Sequence, residues 1–147
     1  MRAFREIHAS YIATDSFLAQ AGASAHGTKT RAHFAKLRLI NDQAYFVMLF
    51  AQFEQFIDEQ CLKLINRKKA SNAWKNRRLW DSTDPERLQF MRKVALLTEK
   101  GGSAYNQIDQ YYDQRCNIAH GTPLPPGAIV VSIAAPALRS LARLLRQ

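Results

Sequence analysis

The chain has 147 residues, of which 47% are hydrophobic and 22% are charged. These values are typical of a single folded domain over residues 1–147 and exclude a chain that is disordered throughout. Twenty-one Lys and Arg face twelve Asp and Glu, and the net charge of +9 favours polyanionic partners, nucleic acid first. A merely solubilising surface charge is the alternative, because charge alone does not specify a ligand.

Targeting and metal signals are absent from the sequence. No apolar run approaches the roughly 18–20 residues that a membrane span needs, and the N-terminus lacks the core of a signal peptide. The two cysteines, Cys61 and Cys116, form no CxxC or Cys/His cluster of metal-ligand spacing. We therefore expect a cytoplasmic protein with reduced thiols, no membrane contact, no metal site and no cofactor.

Helical periodicity dominates the first half of the chain. The first predicted helix covers residues 2–20, and the small-residue segment 21–28 is expected to be a loop. A second helical segment covers residues 30–66, with an aromatic-rich stripe at three- and four-residue steps. One continuous helix of that length is unusual in a globular domain, so a break near Asn41 and Asp42 is an open alternative.

The second half begins with a polar, aperiodic segment, residues 66–83, which we interpret as a connection with room for short helical turns. The run Asp84-Pro85-Glu86 is a typical helix start and predicts a third helix that ends at Gly101-Gly102. Ser103 is expected to cap a fourth helix that reaches His120, where Gly121 stops it.

After the motif at residues 111–121, the chain passes through a Pro-rich loop. Residues 128–133 are expected to form a short extended segment, and residues 137–146 a terminal helix. The predicted fold class is therefore all-α, an antiparallel bundle of four to five helices with this extended segment and terminal helix as decorations.

Arg115 and His120, in the segment YYDQRCNIAHG, carry the strongest chemical signal. Thirteen arginines and four histidines make such a spacing common by chance, so its setting must decide. At about 100° per residue the two side chains lie roughly 140° apart, on either side of an apolar stripe on the fourth helix. That placement suits a site at a seam between helices or subunits.

RNA cleavage explains why this pair would occur together. Histidine can accept the proton of an attacking 2′-hydroxyl, or donate one to the leaving oxygen, near neutral pH. Arginine offers the phosphate a planar, permanently charged double donor. The alternative is structural: His120 would be a helix C-cap and Arg115 an ordinary surface arginine.

The segment RCNIAHG, residues 115–121, resembles the signature of the HEPN superfamily (higher eukaryotes and prokaryotes nucleotide-binding). In that signature an arginine, commonly followed by a polar residue, is separated from a histidine by four to six residues. The segment FAQFEQFIDEQCLKL, residues 50–64, resembles the family's second helix, an aromatic-rich stripe with an embedded glutamate. Together the resembling parts span about residues 40–121.

The resemblance implies a HEPN-type helical bundle, a homodimer whose Arg/His pairs meet at the interface, and a metal-independent endoribonuclease with a 2′,3′-cyclic phosphate product. By the same resemblance Arg115 and His120 are the catalytic residues, and Glu54 supports Arg115. The family further implies a toxin–antitoxin, phage-defence or stress-response setting, with an antitoxin protein as a possible partner.

Two positions depart from the family pattern. Cys116 follows the arginine where many relatives have Asn or Asp, and whether Asn117, the second candidate supporting residue, replaces that group is open. Thr122 stands where some members that are paired with a nucleotidyltransferase antitoxin carry a tyrosine, so regulation through that tyrosine is not expected.

Residues 67–78, RKKASNAWKNRR, contain six basic residues and no acid. A basic segment interleaved with aromatic residues can follow phosphates while it stacks bases. The candidate RNA-binding residues are Arg67, Lys68, Lys69, Trp74, Lys75, Arg77 and Arg78, with Tyr111 beside the motif. A solvated linker whose tryptophans close the end of the bundle is the alternative.

Two rival functions stay open. A non-catalytic HEPN dimer would bind RNA, a nucleotide or a partner protein without cleavage, and the departure at Cys116 favours it. A plain interaction or scaffold protein would show neither RNA affinity nor toxicity on expression.

Overall fold

A computed structural model describes residues 2–122, 124–125 and 127–146. Every regular element in these ranges is helical, which confirms the all-α fold class. The α-helices are α1 (Arg2–Ser24), α2 (Thr28–Lys69), α3 (Trp74–Asp81), α4 (Phe90–Leu97), α5 (Ser103–Ala119) and α6 (Val131–Leu144), with a 3₁₀ helix at Pro85–Arg87. Five of the six α-helices correspond to helices that were predicted, and α3 lies in the segment that was predicted as a connection.

α1 and α2 form an antiparallel hairpin. The Tyr11 hydroxyl donates to Asp42 Oδ1 at 2.8 Å, and Arg38 donates to both carboxylate oxygens of Asp15 at 2.8 and 2.9 Å. The predicted loop over 21–28 is wrong for most of its length, because α1 continues to Ser24. Its small residues serve close helix packing instead: a Cβ at Gly22 would lie 3.2 Å from a side-chain carbon of Phe34.

α2 is one uninterrupted helix of 42 residues, about 63 Å long at 1.5 Å per residue. The alternative of a break near Asn41 and Asp42 is therefore wrong. An aspartate is unfavourable inside a helix when its carboxylate accepts hydrogen bonds from nearby backbone N–H groups and so competes with the helical hydrogen bonds. Here Asp42 Oδ1 accepts instead from the Tyr11 hydroxyl and, at 3.1 Å, from the backbone N–H of Val131.

The core surrounds the middle of α2, which contacts every other helix. Its largest fully buried side chains are Phe4, Phe46, Leu49, Phe50, Phe53, Ile57, Ile65, Val94, Ile108, Val131, Leu138 and Leu145. The aromatic stripe that was predicted on the second helical segment is thus the centre of the core. Despite the length of α2, none of the described helices is apolar enough over a sufficient length to cross a membrane.

The predicted third helix begins later than expected. Asp84 does act as a cap, because its Oδ1 accepts from the Glu86 N–H at 3.0 Å, but the turn it starts is a separate 3₁₀ helix. Gln89 is extended, and α4 covers only Phe90–Leu97, ending before Gly101. The residue at the N-cap of α5 is Gly102 rather than Ser103.

The terminal helix α6 begins at Val131, so the predicted extended segment over 128–133 is wrong beyond Val130. Pro136 lies inside the helix, where it removes one backbone hydrogen bond. Two features offset that cost. Asp42 accepts from the first N–H of α6, and Val131, Ala134 and Ala135 are buried in the core.

Candidate active site

The C-terminus of α5 carries the motif and ends in a Schellman turn. Gly121 has φ +73°, its N–H donates to the Ile118 carbonyl at 3.0 Å, and the Thr122 N–H donates to the Asn117 carbonyl at 2.9 Å. A positive φ is strained for residues with a Cβ, which explains the glycine. His120 occupies the C-cap position that the structural alternative assigned to it, and its side chain is exposed.

Arg115 contacts Glu54 across the interface between α5 and α2. Its Nη2 donates to Glu54 Oε2 at 3.3 Å, with the two side chains 31% and 22% exposed. The guanidinium Nε is buried and has no hydrogen-bond partner among the described residues. The two residues are 61 positions apart, so the fold joins the motif segment to the second resembling segment.

The surroundings of Glu54 oppose its ionisation. Burial raises the pKa of the Glu54 carboxyl, the Arg115 guanidinium partly offsets this by its charge and its hydrogen bond, and Asp58 adds a smaller upward contribution. The effect of burial on the pKa of Glu54 therefore exceeds the effect of the ion pair with Arg115. Arg115 thus pairs with a carboxylate whose charged form is destabilised by its surroundings.

Tyr112 and Cys116 complete the half-buried side of the site. The Tyr112 ring stacks on Phe90 with centroids 4.8 Å apart and also faces Phe50. Burial raises the pKa of Tyr112, and the neighbouring Cys116 side chain raises it further. Cys116, the residue after Arg115, thus lies beside the Tyr112 side chain. The i, i+4 spacing on one helix is the sequence signal that indicates this contact.

His120 and Asn117 lie on the exposed side of α5. Within the described ranges no hydrogen bond or ion pair joins either side chain to another residue. Within one chain, therefore, Arg115 contacts Glu54. His120 is exposed to solvent and lies about 140° around the helix from Arg115.

The basic segment is divided between two helices. Its first three residues are the last turn of α2, residues 70–73 connect the two helices, and residues 74–78 belong to α3. A groove of about 510 Å³ runs between them, lined by Arg67, Lys68, Ser71, Lys75, Asn76, Leu79 and Trp80. Trp74 is 59% exposed and carries the guanidinium of Arg78 over its ring at 5.1 Å, whereas Arg77 is held by Asp81.

The predicted RNA-binding residues do not form one cluster. Glu54 and Arg67 are 13 residues apart on α2, a distance of about 20 Å along the helix axis. Tyr111 packs its ring against Phe46, with centroids 5.8 Å apart, and is half-buried. Phe46 precedes Arg67 by 21 residues, or about 30 Å along the axis, so Tyr111 is remote from the basic segment.

Comparisons with known proteins gave no match among family models, curated proteins or solved structures. In the part of the chain that the structure describes, no group of three or more His, Cys, Asp or Glu side chains is placed to hold a metal ion.

Proposed function

We propose that this protein is a metal-independent endoribonuclease of the HEPN type that acts as a homodimer through Arg115 and His120. The observation that carries the proposal is the contact of Glu54 with Arg115. It joins the two segments that resemble the family, and it involves the carboxylate that the resemblance assigns to supporting Arg115. An exposed histidine, five residues further along α5 and about 140° around it, completes the set of groups that the chemistry needs.

The proposed reaction is an intramolecular transesterification of RNA. His120 accepts the proton of the 2′-hydroxyl as the 2′-oxygen bonds to the phosphorus. The bond from phosphorus to the 5′-oxygen breaks, and this oxygen takes a proton from the imidazolium of His120 in the second copy. The products are a 2′,3′-cyclic phosphate and a 5′-hydroxyl. Arg115 donates to the phosphoryl oxygens, where negative charge develops.

A second copy is needed because one chain does not place His120 beside Arg115. An apolar stripe on the solvent side of α2 supports such a dimer: Ile40 and Met48 are 51% and 49% exposed, with Ala44, Val47 and Ala51 between and beside them. Helical spacing puts this stripe next to Glu54. A second copy seated there would bring two Arg115–Glu54 pairs to a common seam.

The groove between α2 and α3 would hold RNA away from the cleavage point. Its cations lie about 20 Å from Glu54, which suits contacts to neighbouring phosphates rather than to the scissile one. Exposed Trp74 adds a ring surface beside it. Tyr111 is remote from this groove, so it would contact RNA only near Arg115.

The biological setting follows from the resemblance alone. We propose an RNase of a toxin–antitoxin, phage-defence or stress-response system, located in the cytoplasm and restrained by an antitoxin protein.

The test is a cleavage assay on total RNA in EDTA that compares wild type with Arg115→Ala, His120→Ala and the matched control His26→Ala, an exposed histidine outside the site. We expect wild type and the control to produce fragments with 2′,3′-cyclic phosphate ends. Loss of the general acid–base His120 lowers the rate about 10²–10⁴-fold, and loss of the Arg115 donor to the developing charge lowers it about 10²–10³-fold, so both site variants should be nearly inactive. Wild-type rates from folded His120→Ala protein would refute the mechanism.

A second candidate is a dimer that binds RNA without cutting it. The contact between Cys116 and Tyr112 favours it, because the position that is polar in many relatives is turned towards a half-buried phenol. This candidate predicts RNA binding with a steep salt dependence and no fragments from the wild-type protein.

A further inference from the structure

A second basic concavity lies between the start of α1 and the end of α6. It encloses about 300 Å³. Its lining consists of Arg2, Phe4, Arg5, Arg139, Ala142, Arg143 and Arg146. Five of these seven residues are arginines, and we call the feature the arginine groove.

Among the described residues, carboxylates do not balance this charge. Glu6 pairs with Arg2 at 2.8 Å, and the other four arginines form no ion pair within the described residues. Residues 114–147 contain no Asp or Glu at all, so α6 contributes only cations. Exposed arginines alone could remain solvated, but Arg139 is half-buried and its charge must be compensated locally.

Arg139 is held by uncharged partners. Its Nη2 lies 2.8 Å from His8 Nδ1, its guanidinium carbon lies 5.9 Å from the centre of the Phe4 ring, and its Nε is buried without a hydrogen-bond partner. Burial and the neighbouring Arg139 charge both lower the pKa of His8, which favours the neutral ring as acceptor. An anion in the groove would supply the missing countercharge.

The first turn of α1 points to the same ligand. Arg2 and Arg5 stand at the positive end of the helix dipole, where no acidic residue is present. Cations are unfavourable there and anions favourable. Two arginines at a helix start therefore act against the stability of α1, unless a bound anion reverses the local charge.

We propose that the arginine groove is a binding site for two or more adjacent phosphate groups. Arginine forks match phosphate oxygens in pairs, and five of them around about 300 Å³ exceed what a single phosphate can engage. The phosphates belong either to a free polyphosphate or to a single-stranded RNA backbone.

This site is separate from Arg115. Arg2 lies beside Gln52, Gln55 and Phe56 of α2. At 100° per residue, that side of α2 is turned well away from Glu54, which faces α5. Occupation of the groove can therefore be measured independently of the proposed cleavage.

The experiment uses Arg143→Gln/Arg146→Gln, which changes two exposed groove arginines. Arg87→Gln/Arg92→Gln, two exposed arginines outside the groove, is the charge-matched control. Inorganic tripolyphosphate is titrated into wild type and both variants by calorimetry, with unfolding midpoints as a check on folding. Binding of a short single-stranded RNA is measured at several salt concentrations on the same proteins carrying His120→Ala, so that no RNA is cut.

We expect the groove variant to lose about tenfold or more in tripolyphosphate affinity, since charge-assisted hydrogen bonds are lost. The control should stay near wild type. If the groove variant also lowers the slope of log Kd against log salt for RNA by about 1.4, the phosphates are those of a strand, and an unchanged slope indicates a free polyphosphate. Equal effects of both double variants, or no tripolyphosphate binding, would overturn the proposal.

Discussion

Arg115 and Arg139 share an unusual environment. Each is half-buried, and each leaves its Nε buried without a hydrogen-bond partner in the described chain. An unsatisfied buried donor costs about 1–3 kcal/mol, and more when it is charged. Both side chains are nevertheless held in place, Arg115 by Glu54 and Arg139 by His8. Such preorganised cations are suited to receive an anion from outside the chain.

The role of Glu54 can be separated from its contribution to stability. Because its pKa is raised in the folded state, Glu54 contributes stability below about pH 4.5 that is lost as the pH rises through the folded pKa. Glu54→Gln should therefore keep or raise the unfolding midpoint at pH 7. Cleavage should nevertheless fall about tenfold, because a neutral amide holds Arg115 less firmly than a carboxylate does.

Exposed Glu59→Gln is the matched control for that substitution. Unchanged cleavage by a folded Glu54→Gln protein would show that Glu54 does not position Arg115.

His8 makes folding sensitive to acid. Its pKa is lowered from 6.5 in the folded state, so the unfolded chain takes up a proton first as the pH falls. The free energy of unfolding should therefore carry no penalty from His8 above about pH 6.5, and it should decline as the pH falls towards the pKa of His8 in the folded state. His8→Gln keeps an acceptor for Arg139 and should flatten urea-unfolding free energies between pH 7 and pH 5, whereas exposed His26→Gln should not.

At the scale of elements, periodicity predicted where most helices lie, because buried faces recur at helical steps. The aromatic stripe of α2 and the glycine stop of α5 follow from local sequence and were predicted correctly. The errors at Gly22 and Asp42 have a common physical cause. Gly and Asp are unfavourable inside an isolated helix. Here the close packing of Gly22 on Phe34 and the hydrogen bond from Tyr11 to Asp42 retain both residues within helices.

The start of α6 could not be predicted for the same reason. The helix was predicted to begin at residue 137, directly after Pro136, whereas it begins at Val131, whose N–H donates to Asp42, 89 residues earlier in the chain. No local pattern encodes a cap supplied by another helix.

Asp42 thus ties three helices together, and its removal should be costly. Asp42→Ala loses the bond from Tyr11 and leaves the Val131 N–H without its acceptor. We expect a loss of about 2–3 kcal/mol in the free energy of unfolding, measured by chemical denaturation. Asp81→Ala removes the partner of Arg77 in an ion pair that is exposed at both ends and should cost less than about 1 kcal/mol. Similar losses from both substitutions would contradict this role.

At the scale of the whole molecule, the sequence predicted the candidate site only in part. The contact between Glu54 and Arg115 was expected from the resemblance and is present. The arginine groove was missed, because its two halves come from opposite ends of the chain and meet only through the packing of both α1 and α6 on α2. The dimer stays a prediction, and the α2 stripe makes it testable.

Met48 is the exposed side chain at which the dimer can be disrupted. If a second copy covers the stripe, Met48→Glu places a charge in an apolar contact. Removal of one buried Met side chain costs about 1.5–3 kcal/mol and occurs twice in a two-fold dimer, so the dissociation constant should rise about 100-fold or more. Sedimentation should show monomers, and cleavage should fall with the dimer fraction.

Phe17→Glu on α1, at a side chain 67% exposed, is the control and should change neither the sedimentation nor the cleavage. A Met48→Glu protein that stays dimeric would place the interface elsewhere, and a wild-type monomer that cleaves RNA would refute the homodimer.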